Sequence, residues 1–254
     1  MTEFSHLPAY IVIGATGGIG SALCRQLTTT GSRLMLVGRS SDRLDSLTAE
    51  LQSIKIGNYV SFVADATKSS EVDAAFKNAT ETFSKIDGVT NLVGSMLLKP
   101  AHLTSDDEFE TTLTLNLRTG FYALRAAAKT MLATGGSIVL MSTVATQIGL
   151  ANHEAIAAAK GGINGLVLAG AASYAGRGIR VNGVAPGLVR TPLAAKITSN
   201  EMALKASTSM HPLGRIGEPD DVATAIAWLL NPATSWVTGQ IISVDGGMST
   251  VRGK

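Results

Sequence analysis

A glycine-rich segment near the N-terminus could bind a phosphate group. Residues 14–20 read Gly-Ala-Thr-Gly-Gly-Ile-Gly and lie between an apolar run and a helical pattern. Small residues let a backbone approach a pyrophosphate, and a helix N-terminus offers free N–H groups and the positive end of its dipole. A tight structural turn could use the same glycines, but their place between the first strand and the first helix favours a nucleotide. We therefore predict dinucleotide contacts from Gly14, Thr16, Gly18, Ile19 and Gly20.

The residues after the second apolar run indicate which dinucleotide binds. A carboxylate at this point hydrogen-bonds the 2′-hydroxyl of NAD, whereas an arginine accommodates the 2′-phosphate of NADP. Arg39 stands there, with Ser40 beside it and Arg43 nearby. An ordinary surface arginine would also fit this position. We predict that Arg39 and Ser40 bind the phosphate, with Arg43 as a second candidate contact. The expected cofactor is NADP(H), and NAD(H) is the less favoured alternative.

The elements that must position these residues follow an alternating pattern. Short apolar runs alternate with longer helical stretches, which is typical of βαβ units. We predict a single α/β domain over residues 1–254, a Rossmann-type, doubly wound, seven-stranded parallel sheet with helices on both faces. The strands are expected at Tyr10–Ile13, Arg33–Val37, Tyr59–Ala64, Gly88–Val93, Ser137–Met141, Arg180–Val184 and Gln240–Val244. The helices are expected from near Ser21 and at Ser40–Ile54, Ser69–Phe83, Asp106–Leu132, Glu154–Ala175 and Pro219–Leu230.

Composition excludes several other classes of protein. The net charge of +2 and the absence of a basic run argue against binding to nucleic acid or to a membrane surface. Cys24, the single cysteine, cannot form an intramolecular disulfide. We see neither a signal peptide nor an apolar run of the roughly 18–20 residues that span a bilayer. We expect a soluble cytoplasmic protein without a metal site.

Further motifs, in order along essentially the whole chain, resemble those of the short-chain dehydrogenase/reductase family. The matching residues are Gly14, Gly18, Gly20, Asp65, Asn91 to Gly94, Asn116, Lys160, Val181 to Gly187, Thr191, Pro212 to Arg215 and Val244 to Gly247. The resemblance implies catalytic roles for Asn116, Thr143 and Lys160. It implies further cofactor contacts from Asp65, Ala66, Asn91, Gly94, Lys160, Pro186, Gly187, Val189 and Thr191. The glycines of the 14–20 loop, and Gly94 and Gly187 among these further contacts, are expected where the backbone passes close to the dinucleotide.

One departure from the family pattern concerns proton transfer. In the family a tyrosine four residues before the lysine is the general acid/base, and a serine thirteen residues before that tyrosine orients the carbonyl. These positions hold Ile156 and Thr143, with Ser142 as a second hydroxyl candidate. Isoleucine cannot supply a proton. None of the four tyrosines of the chain is a natural replacement.

His153 is the candidate substitute for the missing tyrosine. It lies close to one helical turn before Ile156, so the two side chains can share a face. A free imidazole titrates at about pH 6.5 and can donate or accept a proton near neutrality. The alternative is a polar residue at a helix start, as neighbouring Glu154 is expected to be.

The substrate side of the pattern is mainly apolar. Residues 191–215 correspond to the family's flexible substrate lid, and their helical spacing predicts a helical lid with a solvated basic face. Met96, Leu97, Leu98, Ile148 and Leu150 suggest a pocket for a small hydrophobic carbonyl or alcohol. The resemblance also implies a homodimer or homotetramer.

We therefore expect an NADP(H)-dependent oxidoreductase with an altered proton-donor site. Two alternatives stay open at this point. One is a protein that binds NADP(H) without redox turnover, as a sensor or an inactive subunit. The other is a lyase or isomerase that uses the same pocket.

Overall fold

Seven apolar runs form one parallel sheet, as the alternating pattern predicts. The computed structural model describes residues 7–55 and 57–252. Within these ranges the strand order is β3-β2-β1-β4-β5-β6-β7, and every neighbouring pair is parallel. The strands are β1 Ala9–Ile13, β2 Arg33–Gly38, β3 Tyr59–Val63, β4 Gly88–Asn91, β5 Gly136–Met141, β6 Ile179–Pro186 and β7 Ile241–Val244. The predicted fold class is confirmed.

Helices cover both faces of the sheet because the central strands are apolar on both sides. One buried layer includes Leu23, Leu44 and Ile226, and the other includes Phe76 and Ile163. The helices are α1 Gly18–Thr29, α2 Ser41–Ile54, α3 Ser69–Phe83, α4 Asp106–Leu113, α5 Thr119–Met131, α6 Glu154–Tyr174, α7 Ala195–Thr198, α8 Glu201–Ser209 and α9 Pro219–Leu230. Short 3₁₀ turns lie at Ala101–Leu103, Val144–Thr146, Ala175–Arg177, Pro192–Ala194 and Pro232–Thr234.

The chain departs from the predicted elements at two places that matter for the site. The first helix begins at Gly18 rather than near Ser21, because Gly17 is already the extended N-cap residue. The predicted helix Asp106–Leu132 is divided by a π-helical turn, Thr114–Arg118, between α4 and α5. A π turn inserts one extra residue into the helical repeat, so it changes the direction of the side chains that it carries.

One helix needs a correction to the expected absence of a membrane-length segment. Glu154–Arg177, which is α6 and the turn after it, is long and apolar enough to cross a bilayer by length and composition alone. In the fold this helix packs against β5 and β6. Its apolar character is that of a helix in the core of an α/β fold, which passes the same test.

Candidate active site

A cavity of about 520 Å³ lies at the carboxyl edge of the sheet. It is bounded by the segments that follow β4, β5 and β6 and by the lid segment, residues 191–215. The order of the strands reverses next to this edge, between β1 and β4. Crevices at such a reversal are the usual ligand sites of doubly wound sheets, and the volume suits a small molecule.

Lys160 places a buried ammonium group in this cavity. It lies in the second turn of α6 and is 6% exposed. Its Nζ donates a hydrogen bond of 2.8 Å to the carbonyl oxygen of Met141, the last residue of β5. Burial disfavours the charged form and lowers the pKa of Lys160 to about 8. The ammonium group therefore lies at the end of β5, and its remaining N–H groups can donate hydrogen bonds to a ligand.

Asn116 lies inside the π turn, and its side chain hydrogen-bonds to the segment after β4 and to α4. Its Oδ1 accepts from the Ser95 backbone N–H at 3.1 Å. Its Nδ2 donates to Ser95 Oγ at 2.9 Å and to the Thr112 carbonyl at 3.0 Å. A Cβ at Gly94 would lie 2.8 Å from Asn116 Oδ1, so this contact requires glycine. Asn116 thus holds the turn after β4 against α4.

Thr143 is the better placed of the two predicted hydroxyl groups. Ser142 donates from its Oγ to Asn164 Oδ1 at 2.6 Å, and Asn164 in turn donates to Thr146 Oγ1 at 2.9 Å. Ser142 also lines the cavity, but this partly buried chain commits its proton to Asn164. Thr143 lines the cavity, and its Oγ1 accepts from the Ala145 N–H at 3.4 Å. Its hydroxyl proton can reach a ligand.

His153 and Ile156 both line the cavity. His153 precedes the first residue of α6, and its side chain makes no capping bond. Its Nδ1 lies 2.8 Å from the Ala151 carbonyl oxygen, so Nδ1 carries a proton in this geometry. This leaves Nε2 to exchange a proton with the cavity. Ile156 is buried, with 6% of its surface exposed.

The glycine loop presents the N-terminus of α1 at the neighbouring part of the same edge. Gly14 adopts φ +86°, which favours glycine. Within the described residues, α1 has no side-chain cap. The first N–H groups of a helix lack intrahelical partners, so they face out from this edge. Ile19, on the first turn, reaches the cavity lining.

The structure gives several glycines a reason beyond the expected one. They are expected where the backbone passes close to a dinucleotide, and in the structure protein atoms also occupy the space that a Cβ would need. A Cβ at Gly20 would collide with the Gly14 carbonyl oxygen. A Cβ at Gly187 would lie 2.5 Å from His211 Nε2, and one at Gly18 would lie 2.9 Å from Thr191 Cγ2. These glycines are therefore required by the close packing of neighbouring segments of the chain. This requirement holds whether or not their backbone N–H groups bind a nucleotide.

Four residues predicted to bind the cofactor lie beyond β2 and β3, outside the cavity lining, namely Arg39, Ser40, Asp65 and Ala66. Arg39 is exposed at the end of β2. Ser40 caps α2 by accepting from the Arg43 N–H at 3.4 Å. Arg43 Nη2 donates to the Thr16 carbonyl at 2.5 Å, so this arginine binds the glycine loop.

Asp65 is held by its own turn. Its Oδ1 accepts from the Thr67 N–H at 3.0 Å and from the Thr67 hydroxyl at 2.8 Å. The bond from the Thr67 backbone, with the nearby Arg39 charge contributing, lowers the pKa of Asp65. Ala66 beside it is buried.

Asn91 does not reach the cavity lining. It is 4% exposed, and its Nδ2 donates to Thr119 Oγ1 at 3.1 Å, which ties β4 to α5. The predicted residues after β6 do reach the lining, namely Pro186, Gly187, Val189 and Thr191. The cavity therefore brings together those four with Ile19, Gly94, Asn116, Thr143, His153 and Lys160.

Sequence reasoning missed two residues that hold this site together. Ser95 makes two hydrogen bonds with the side-chain amide of Asn116. Its only signal in the sequence is a hydroxyl group directly after Gly94. His211 is 3% exposed and lines the cavity from the lid side. Its signal was an imidazole directly before the Pro212-to-Arg215 motif.

The donors on this edge fit a dinucleotide. The first turn of α1 suits a pyrophosphate, the exposed guanidinium of Arg39 suits a further phosphate, and the N–H groups of Lys160 suit hydroxyl oxygens. The fold and the site thus define a nucleotide-binding protein of the doubly wound α/β class.

Comparisons with known proteins identify the family. A family model described as "Enoyl-(Acyl carrier protein) reductase" matches residues 14–249. Galactitol 2-dehydrogenase (L-tagatose-forming) of Cereibacter sphaeroides is 36% identical over 241 residues, 93% of this chain and 92% of the relative. A short-chain type dehydrogenase/reductase from Mycobacterium ulcerans superposes with a TM-score of 0.92 at 32% identity, covering 97% of this chain and 91% of that one.

A second solved structure, a variant of actinorhodin polyketide ketoreductase with NADPH, superposes with a TM-score of 0.91. It is 27% identical and covers 97% of this chain and 99% of that one. The chain belongs to the short-chain dehydrogenase/reductase family, whose members are oxidoreductases that use a nicotinamide nucleotide.

Replacement of Lys160 by methionine is expected to stabilise the fold at neutral pH. The pKa of Lys160 is about 8 in the folded protein, whereas an ordinary lysine has a pKa of 10.5. Between pH 8 and pH 10.5 the unfolded chain therefore binds more protons at this residue than the folded chain does. Wild-type stability therefore rises with pH through that window. Lys160→Met removes the cost of the buried charge, which is about 2–3 kcal/mol at pH 7 after allowing for the lost hydrogen bond.

Urea unfolding at pH 7 and at pH 10.5 measures this difference. The advantage of Lys160→Met is expected to shrink at the higher pH. Lys129→Met, at an exposed lysine of α5, is the matched control and is expected to change stability little at either pH. A Lys160→Met protein less stable than wild type at pH 7 would contradict the account of the buried ammonium.

Proposed function

We propose that the protein is an NADP(H)-dependent oxidoreductase that acts on a small, mainly apolar carbonyl or alcohol and has an altered proton-donor site. The observation that carries this proposal is the joining of two distant groups of residues in one cavity. Ile19 of the glycine-loop helix and Thr191 lie in the same lining as Thr143 and the buried ammonium of Lys160. Such a cavity suits both a nucleotide and a second, smaller molecule.

Each polar group of the cavity has a role in this proposal. Thr143 donates its free hydroxyl proton to the substrate oxygen and so orients the carbonyl. Lys160 donates to ribose hydroxyls from the N–H groups that Met141 leaves available. Asn116 keeps the turn after β4 in place through Ser95. When bound, the nicotinamide supplies or accepts a hydride.

The proton needs a source other than tyrosine. Ile156 occupies the position where the family pattern has its general acid, and its side chain faces the cavity. We propose that His153 exchanges this proton through Nε2, while Nδ1 stays bonded to the Ala151 carbonyl. In the reductive direction the substrate oxygen receives the proton, and in the oxidative direction His153 takes it up. The isoleucine also favours a second candidate function, nucleotide binding without turnover.

Restoring a tyrosine at position 156 is expected to raise turnover. General acid catalysis contributes about 10²–10⁴-fold, and Ile156→Tyr should gain the part of that factor that His153 does not already supply. Ile156→Phe is the matched control because it adds the same ring without the hydroxyl. Oxidation of NADPH with a panel of cyclic and aliphatic ketones measures the rates. Equal rates for the tyrosine and phenylalanine variants would contradict the assigned role of this position.

The role of His153 can be tested in two proteins, the wild type and the Ile156→Tyr variant. His153→Ala is expected to lower turnover strongly in the wild-type chain and little in the Ile156→Tyr chain, where the hydroxyl replaces the imidazole. His102→Ala, at an exposed histidine outside the cavity lining, is the control. Unchanged turnover of His153→Ala in the wild-type background would refute the role of His153.

The choice of NADP(H) rests on Arg39 and is supported by the solved ketoreductase whose structure contains NADPH. Loss of a charge-assisted hydrogen bond costs about 1.5–3 kcal/mol. Arg39→Ala should therefore raise the Kd for NADPH about 10–100-fold and leave the Kd for NADH nearly unchanged. Arg177→Ala, at an exposed arginine after α6, makes the same charge change elsewhere. Nucleotide fluorescence measures the constants, and parallel weakening of both nucleotides would contradict the assignment.

The substrate class follows from the side chains of the cavity. Its polar groups are few, and its walls are mainly apolar, with Met96, Leu98, Leu150, Ile156, Leu193, Ile197, Met210 and Met248. Galactitol, named for one relative, would leave many hydroxyl groups without partners on such walls. We therefore favour a hydrophobic ketone, in a single-domain cytoplasmic enzyme that is a homodimer or homotetramer and uses residues 191–215 as its lid.

A further inference from the structure

A buried histidine outside the predicted site lies between two walls of the cavity. His211 comes two residues after the end of α8 and is 3% exposed. On one side of its ring is the lid, where Ser207 and Met210 line the cavity. On the other side is the segment after β6, where Gly187 and Leu188 line it. The imidazole therefore bridges the loop and the C-terminal part of the lid, which are 23 residues apart in the chain.

Both ring nitrogens are bound to backbone atoms. Nδ1 lies 2.7 Å from the Ser207 carbonyl oxygen, which can only accept, so Nδ1 carries the proton. Nε2 lies 3.2 Å from the Leu188 backbone nitrogen, whose N–H donates, so Nε2 carries none. One tautomer of the neutral ring satisfies both contacts at once.

The loop is shaped to receive this ring. A Cβ at Gly187 would lie 2.5 Å from Nε2, so the approach of the imidazole requires glycine there. The loop is held from other directions as well, since the Gly187 N–H donates to the Val244 carbonyl at 3.2 Å and the Leu188 carbonyl accepts from the Gly217 N–H at 2.8 Å. The imidazole thus ties the C-terminal part of the lid to a loop that is already held in place.

We propose that His211 is a positioning residue that fixes the lid against the Gly187–Leu188 loop and so sets how tightly the cavity holds its nucleotide. The two ring bonds together fix the distance between Ser207 on the lid and Leu188 on the loop. The coupling of lid and loop depends only on contacts of this chain, and its effect on the nucleotide rests on the function proposed above.

Two substitutions separate the ring bonds. His211→Asn keeps an amide near the Nδ1 position, so it can still donate to Ser207 but cannot reach Leu188. His211→Gln places its carbonyl oxygen near the Nε2 position, so it can still accept from Leu188. Hydrogen exchange of the Leu188 amide, measured without nucleotide, is expected to accelerate on the order of tenfold in His211→Asn and to stay near wild type in His211→Gln. A merely structural role would affect both variants alike.

The nucleotide is added in a second measurement. His211→Asn is expected to raise the Kd for NADPH several-fold, and His211→Gln is expected to restore it. Equal exchange of the Leu188 amide in the two variants, or a Kd that does not follow that exchange, would overturn the inference. A wild-type protein that binds no NADPH would refute the proposed function instead, while the exchange experiment would still decide whether His211 couples lid and loop.

Discussion

The hydrogen bond from Lys160 to the Met141 carbonyl joins α6 to the end of β5, and the geometry of the cavity depends on it. An ammonium group is expensive to bury, and a single carbonyl oxygen only partly offsets that cost. The lowered pKa of Lys160 expresses the remaining penalty. A fold that keeps such a group forgoes stability at that point, which is common where a side chain serves a ligand.

The other polar groups of the cavity come together because the parallel strands end at the same edge of the sheet. Parallel strands bring their carboxyl ends to one edge, so residues after β4, β5 and β6 meet although they are distant in the chain. The π turn at Thr114–Arg118 then directs Asn116 toward the segment after β4. Ile156 makes its part of the cavity wall apolar, and His153 lines the same cavity from just before α6.

The sequence was sufficient for the sheet but not for all of the site. Continuous apolar runs predict buried parallel strands, because both faces must be covered, and the seven runs do form the sheet. The π turn was missed, since an inserted residue leaves the helical pattern almost unchanged. The packing of His211 against Gly187 was also missed, because such tertiary contacts cannot be seen in local sequence. Ser95 and His211 were missed for the same reason.

Transfer of a labelled hydride tests most directly whether this cavity performs redox chemistry. The wild-type protein would be mixed with NADPH that carries deuterium at the transferring position of nicotinamide C4 and with a panel of hydrophobic ketones, and the alcohols would be analysed by mass spectrometry. The account predicts an alcohol with one deuterium on its carbinol carbon. Tight binding of NADPH with no deuterium in any product would contradict it and would favour a protein that binds the nucleotide without turnover.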